Sequence, residues 1–405
     1  MLSHQQARGA IVRELGLIAY PGALRREIIP LTDSLGRTLA NEIRADRLYP
    51  PFDRSIRDGF AVRAADVAPG TKLRCIGELK AGDTPKISVT PGTCLQIMTG
   101  AAVPQGADAV VMIEHTRAEG ETILFDQTIP PGQHIVKCGA EAANGHPFVN
   151  RGTRIGFAEI AAAAQVGAVE LEVYVKPRVA ILSTGDEVVP AETKPGEFQI
   201  RNSNAYSLAA QVTLHGGEPT VLTNAKDTEQ DLHEKITQGL KQDMLVLSGG
   251  VSAGKYDLVE KVLRDLGADF HFDAVAIRPG KPTVFAICQG KPVFGLPGNP
   301  ISTMVTFELF ASLALELLCG AEAKPLAFLE AHLAESLQEK TGLAHFLPAR
   351  LEWPDSVPTV KPIRWQGSGD LAAVAKSNCF LYLPSDRAEF AAGEPVRVLP
   401  RRDVL

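Results

Sequence analysis

Three short loops carry most of the residues able to do chemistry, and each follows an apolar run. Residues 245–257 begin Leu-Val-Leu, turn through Ser248, Gly249 and Gly250, and end at Lys255, Tyr256 and Asp257. That pattern is a buried strand delivering an anion-binding loop at its carboxyl end. Ser183, Thr184, Gly185, Asp186 and Glu187 follow the apolar run 179–182 in the same way. Gly295, Leu296, Pro297, Gly298, Asn299 and Pro300 follow Val293 and Phe294. Ligands of open α/β sheets sit outside the carboxyl ends of the strands. Three polar loops at three strand ends therefore predict one composite site.

Each loop has an ordinary alternative when taken alone. Gly249, Gly254 and Lys255 have the spacing of a phosphate-binding P-loop, but Tyr256 stands where that motif places a Ser or Thr on Mg²⁺. A cradle of backbone N–H groups from Ser248, Gly249 and Gly250 survives this departure. A glycine turn with no ligand fits equally well. Adjacent carboxylates at Asp186 and Glu187 suit a hard cation such as Mg²⁺ beside a substrate phosphate; the alternative is helix capping or a solvated surface. Arg278, Pro279, Gly280, Lys281 and Pro282 hold two cations on a rigid turn, which suits a tetrahedral oxyanion, or simply a charged hairpin. Residues 57–62, 98–101 and 366–370 read as turns whose spacing demands no chemistry. Ser252 lies after two glycines rather than on a sharp elbow, which argues against a hydrolase nucleophile.

The elements that must position these loops alternate in period. Residues 3–18 read as an amphipathic helix with Ser3 and Gln6 at capping-box spacing and Ala7, Ile11, Leu15 and Ile18 on one face. Short β-like runs with many Gly and Pro fill 44–146, and a helical pattern returns over 151–174. Strand 179–182, helix 203–215 stopped by Gly216-Gly217, strand 220–222, helix 228–241 capped by Asp227 or Thr228, strand 244–247 and helix 257–266 follow. Strands 272–277, 283–288 and 292–295 and helix 301–318 complete the block. This alternation predicts a doubly wound, mostly parallel α/β sheet. Strands 345–352, 358–364, 379–383 and 395–399 predict a small all-β unit at the end.

The totals set bounds. A chain of 405 residues, 45% hydrophobic and 22% charged, suits several globular domains. A formal charge of −6 and the lack of a basic stripe argue against nucleic-acid binding. The six cysteines form no C-x-x-C and point to free thiols in a reducing compartment. Charges at Arg8, Arg13 and Glu14 interrupt any signal-peptide core, and no run approaches the ~18 apolar residues of a membrane helix. A cytoplasmic protein with no membrane partner is expected.

In chain order, Ser55-Ile56-Arg57-Asp58-Gly59-Phe60-Ala61-Val62, Ile97-Met98-Thr99-Gly100-Ala101, Ser183-Thr184-Gly185-Asp186-Glu187, Arg201-Asn202-Ser203-Asn204, Ser248-Gly249-Gly250-Val251-Ser252, Arg278-Pro279-Gly280-Lys281-Pro282 and Gly295-Leu296-Pro297-Gly298-Asn299-Pro300 closely resemble the motifs of the MoeA family, the molybdopterin molybdenumtransferases of molybdenum-cofactor synthesis. Each is weak or moderate alone; seven in order are specific, and the resemblance spans nearly the whole chain. It implies a central MogA-like α/β domain (177–326), a β-rich domain (44–146), a helical linking domain (1–43 plus 147–176) and a C-terminal β-barrel (327–405). It further implies that molybdate is inserted into adenylylated molybdopterin with Mg²⁺ present, giving molybdenum cofactor and AMP. The implied assembly is a homodimer with a shared site, with the pathway's adenylyltransferase as a further partner.

Carried onto this chain, the functional positions are Asp58, Thr99, Glu187, Asp227, Asp257, Arg278, Lys281 and Ser368, with Asp58 and Thr99 supplied by the partner subunit. Ser183, Thr184, Gly185, Asn204, Ser248, Gly249, Gly250, Pro297, Gly298, Asn299 and Pro300 would hold the pterin nucleotide. Asp186, Glu187, Asp227 and Asp257 would hold Mg²⁺. Two departures stand out: Lys137 and Glu141 only approximate the family's Arg…Asp element, and Arg278 replaces a lysine. The competing readings are a divergent paralogue using another oxyanion such as tungstate, a non-catalytic dimeric scaffold, and a P-loop-like nucleotide hydrolase.

Overall fold

The computed structural model describes residues 1–18, 24–250 and 258–404. Its centre is a six-stranded sheet in the spatial order Glu218–Val221, Arg178–Ser183, Met244–Ser248, Lys291–Leu296, Val284–Cys288, Asp269–Phe272. The first four strands are parallel, and Val284–Cys288 runs against both of its neighbours. Arg178–Ser183 and Met244–Ser248 are buried almost throughout, as strands covered on both faces must be. One face is closed by a core that includes Val179, Val246, Phe285 and Phe294, and the other by one that includes Leu182, Leu245, Leu247 and Val262.

Local signals place the helices. Thr228 caps the helix Glu229–Gly239, its hydroxyl accepting from the Asp231 N–H. Asn204–Leu214 ends at His215 and turns on Gly216, whose φ is +90°. The helix Pro300–Thr306 runs through a π-helical turn, Phe307–Ala311, into Ser312–Leu318. This continuous 19-residue helix has a mean hydropathy of 1.6, long and apolar enough to cross a membrane, contrary to the expectation that no such run exists. Within the fold, 78% of it is buried, and it forms the spine of the α/β core.

The N-terminal helix His4–Ile18 packs on that spine. Ala7, Ile11 and Leu15 are fully buried in the α/β core, and the Arg8 guanidinium donates to the carbonyls of Leu309 (2.6 Å) and Lys324 (2.7 Å). Its start is the expected reciprocal cap between Ser3 and Gln6.

The helical pattern read over 151–174 is corrected by the structure. The helix covers only Phe157–Gln165, and Glu170–Tyr174 is a strand antiparallel to Arg26–Pro30. Gly167, at φ +75°, ends the helix, and Leu171 and Val173 alternate with exposed or half-exposed glutamates at the period of a strand. Strand 272–277 likewise divides. Asp269–Phe272 is the edge of the central sheet, whereas Ile277–Arg278 leaves it to pair in parallel with Ala344–His345.

A second six-stranded sheet runs Ala109–Met112, Gly59–Val62, Thr93–Ile97, Lys72–Leu79, Thr122–Phe125, Thr116–Glu119. It has its own cores around Phe60 and Phe125 on one side and Leu95 and Ile97 on the other. At the C-terminus, Ala344–Glu352, Thr359–Pro362, Leu329–Leu333, Pro395–Pro400 and Cys379–Leu383 pair in that order. The first and last also pair with each other, which closes a five-stranded barrel.

Candidate functional site

Register alone brings the three loops together. Ser183 lies opposite Ser248, and Ser248 opposite Leu296, so the three strands end at one level and their loops leave one edge. There they line a cleft of about 720 Å³ that includes Thr184, Glu187, Asn204, Asp227, Gly250 and Pro297. Ser183, Gly185, Ser248, Gly249, Gly298, Asn299 and Pro300 line it as well. A second cavity of about 440 Å³ is lined by Arg278, Lys281 and Ser368 together with Gly280, Trp365 and Ser302. Pro282, Pro297 and Asn299 belong to both linings, so the two spaces adjoin. Asp257 and Lys255-Tyr256, with the rest of 251–257, lie outside the described residues.

Hydrogen bonds fix the cleft wall. Asn204 donates through Nδ2 to Ser248 Oγ (2.7 Å) and to the Gly298 carbonyl (2.8 Å), tying two of the loops together. Ser183 Oγ donates to Asn202 Oδ1 (3.2 Å), and Asn202 donates to Asn224 Oδ1 (2.8 Å). Gly249 has φ +94°, and a Cβ there would stand 2.9 Å from the Thr184 carbonyl oxygen; only glycine lets these loops approach so closely. Two buried polar atoms of the cleft residues, Thr184 Oγ1 and Asn204 Oδ1, have no hydrogen-bond partner among the described residues. Buried unpaired polar atoms are costly, and binding sites are where proteins keep them.

The acidic side is concentrated. The Asp227 N–H donates to Asp186 Oδ1 (3.2 Å). The Asp227 carboxyl is pushed above the usual carboxylate range by burial, then by the charges of Asp186 and Glu187. The Glu187 carboxylate folds back over Gly185, within 2.5 Å of where a Cβ would sit. Among the described residues no three acidic, imidazole or thiol groups gather closely enough to ligate an ion together. Crowded oxygen donors in twos suit Mg²⁺, which keeps its waters and takes one or two carboxylates plus substrate phosphate.

The cationic side rests on the barrel. Arg278 Nη1 lies 3.7 Å from Glu339 Oε2, and Glu339 lies 3.2 Å from Nδ1 of the buried His345. Burial pushes the His345 imidazole down, Glu339 opposes this, and Arg278 adds to it. Gly280 (φ +106°) is packed so closely that a Cβ would meet Thr306 Cγ2 at 2.3 Å. Ser368 accepts the Ile301 N–H through its carbonyl (2.9 Å), holding its loop on the first turn of the core helix. Glu339, His345 and Trp365 were not expected from sequence, because only closure of the barrel brings them to this turn. Asn202 lay within a recognised motif, while Asn224 had no signal.

Residues 2–167 match the MoeA N-terminal region (domain I and II), residues 180–316 a probable molybdopterin binding domain, and residues 330–400 the MoeA C-terminal region (domain IV). The chain belongs to the MoeA family. The molybdopterin molybdenumtransferase of Nostoc sp. is 34% identical over 384 residues, covering 92% of this chain and 88% of that protein. That of Bacillus subtilis is 33% identical over 387 residues, covering 93% and 90%. The crystal structure of the molybdopterin biosynthesis moeA protein from Pyrococcus horikoshii OT3 superposes with a TM-score of 0.81 at 28% identity, covering 99% of this chain and all of that one.

In this MoeA chain Asp58 and Thr99 line neither cavity. They form a unit on the β-rich sheet: Asp58 Oδ1 accepts from both the Thr99 N–H (2.6 Å) and its hydroxyl (2.8 Å). These two bonds hold the Asp58 carboxyl below its usual range. Lys137 and Glu141, the approximate family element, are both ion-paired, to Asp53 (2.7 Å) and Arg54 respectively. The Lys137 contact and the Cys138 N–H hold Asp53 low.

Proposed function

We propose that this chain is a molybdopterin molybdenumtransferase that takes adenylylated molybdopterin and molybdate to molybdenum cofactor and AMP. One observation supports this best: a cleft roomy enough for a pterin nucleotide adjoins a cavity that presents an arginine and a lysine, with Pro282, Pro297 and Asn299 common to both. A two-part substrate and a small dianion would thus meet at one wall.

Arg278 and Lys281 bind and orient the oxyanion, the guanidinium as a planar fork and the ammonium as a compact charge. The Ser368 loop closes that cavity. Thr184 Oγ1 and Asn204 Oδ1, unpartnered among the described residues, receive the polar edge of the pterin nucleotide. Glu187 and Asp227, with Asp186 behind them, are the groups that would hold Mg²⁺. Bound there, the ion would offset negative charge on the phosphate oxygens. None of these roles needs a covalent nucleophile from the protein. Asp58 and Thr99, absent from both linings, act from a second copy of the chain in a homodimer.

The test is Glu187→Ala. AMP release from adenylylated molybdopterin falls to background while the pterin nucleotide still binds. Normal turnover in that variant would refute the assignment. Single-turnover assays with molybdate and with tungstate identify the oxyanion.

A further inference from the structure

A separate cationic cavity lies at the seam between the linking strands and the α/β core. It encloses about 130 Å³ and shares no lining residue with the candidate site. Arg37, Arg154, Lys176, Lys324 and Arg402 surround it, against Glu316 and Glu322, in a protein whose formal charge is −6. Two of the five cations are engaged: Arg37 with Glu27, and Arg402 with Glu316 at 2.7 Å. Arg154 donates to the Leu214 carbonyl at 3.1 Å, and among the described residues it, Lys176 and Lys324 have no carboxylate within ion-pairing distance. Three cations without an ion-pair partner, from distant parts of the chain, thus converge on one small space, against a single carboxylate, Glu322, that is likewise unpaired among the described residues.

We propose that this cavity is a binding site for a tetrahedral oxyanion of phosphate or molybdate size. The volume selects the class. At roughly 30 Å³ of liquid per water, the space takes one such ion with a water or two, whereas a pterin nucleotide needs the larger cleft. The lining suits the charge, since a guanidinium fork and ammonium groups are the usual oxyanion donors. The floor carries one ionised carboxylate, Glu316, whose charge is already matched by Arg402 (2.7 Å) and His215 (3.3 Å). Burial pushes the Cys319 thiol up to about 12, so it stays neutral, and Arg154, Arg37 and Lys176 act on it only as opposing charges. The His215 imidazole is fully engaged below, between Glu308 (3.2 Å) and Glu316 (3.3 Å). An ion here would join Arg154 and Lys176 of the linking segment to Lys324 beyond the core helix, clamping the seam.

Equilibrium dialysis of the full chain with radiolabelled phosphate and with molybdate tests the site. Lys281→Gln removes a cation from the other oxyanion cavity and leaves this one whole; it retains one oxyanion per chain. Adding Lys176→Gln and Lys324→Gln weakens that remaining site at least tenfold, because each change removes a full positive charge from the lining. Both lysines are exposed, so the variant keeps the wild-type thermal midpoint. Displacement of bound molybdate by equimolar phosphate identifies a general oxyanion site; resistance to displacement identifies the metal oxyanion. Loss of all oxyanion binding in Lys281→Gln, or affinity within twofold after the lysine changes, would overturn the proposal.

Discussion

Gly280→Ala tests whether the Arg278–Pro282 turn owes its shape to packing against the core helix. The added Cβ would stand 2.3 Å from Thr306 Cγ2 and 3.3 Å from Ile277 Cδ1, at a backbone φ of +106°. The first contact is far inside van der Waals distance, and Thr306 is fully buried, so the methyl cannot swing into solvent. Left-handed backbone costs an alanine roughly 1–2 kcal/mol, and forcing a methyl into a packed interior adds about 1–3 kcal/mol. The expected destabilisation is therefore about 2–5 kcal/mol. Thr306→Ser removes only the clashing Cγ2 and keeps the hydroxyl that donates to the Ser302 carbonyl at 2.7 Å. The double variant should recover the packing part of the loss and not the backbone part, a coupling of about 1–2 kcal/mol. Urea midpoints of the four proteins give the stability cycle, and molybdate affinity should follow the same order. A Gly280→Ala protein within about 0.5 kcal/mol of wild type, or strictly additive losses in the double variant, would refute the reasoning.

Three further outcomes follow from the same coordinates. Burial alone would push the His215 imidazole down, but Glu308 and Glu316 outweigh it and raise it, so its stabilisation is complete below about 6.5 and is lost as pH rises through the raised value. Glu316 is held at about 2, by His215 and Arg402 against the effect of burial, so its contribution is lost as pH falls from the normal carboxylate range toward 2. His215→Gln should cost about 3 kcal/mol near pH 6 and flatten the alkaline limb of the stability profile; an unchanged limb counts against the triad. Asp186→Asn, in metal-free buffer at pH 7, should stabilise the fold by less than about 1 kcal/mol, because it relieves repulsion on the exposed Asp227, and a lower melting point would contradict this. Thr184→Val deletes a buried hydroxyl that has no partner among the described residues. Free-protein stability should hold or rise by about 1 kcal/mol while pterin-nucleotide affinity falls, and calorimetry of both states decides.

The composite site was legible because strand ends and loop chemistry are local. Apolar runs before Ser183, Ser248 and Leu296 fixed three strands, and the βα alternation put them in one parallel sheet, where register did the rest. What was not legible lies where two distant segments share a function. Residues 272–277 read as one strand because both ends are apolar, yet Ile277–Arg278 answers to the barrel, and nothing nearby in sequence announces Ala344–His345. The pattern over 151–174 misled because an alanine run imposes a helix for only nine residues before Gly167, after which alternation takes over. Glu339 and His345 escaped for the same reason as the strand: they face Arg278 only after the barrel closes.

That shared strand bears on how the chemistry is assembled. Arg278 leaves the α/β domain as a barrel strand, Lys281 returns through its carbonyl to the Val275 N–H (2.9 Å), and Ser368 sits on the barrel side of the same cavity. The Arg278–Lys281 cavity is therefore set by the join between two domains, and any rotation of the barrel would separate Ser368 from Lys281. Asp58 and Thr99 belong to a sheet with its own cores, so their distance from the cleft is set by domain placement rather than by the α/β fold. Rigid coupling around Arg278 and Lys281 and independent placement of Asp58 and Thr99 are what the proposed site needs if a small ion is to be held still while a larger, two-part substrate enters and leaves.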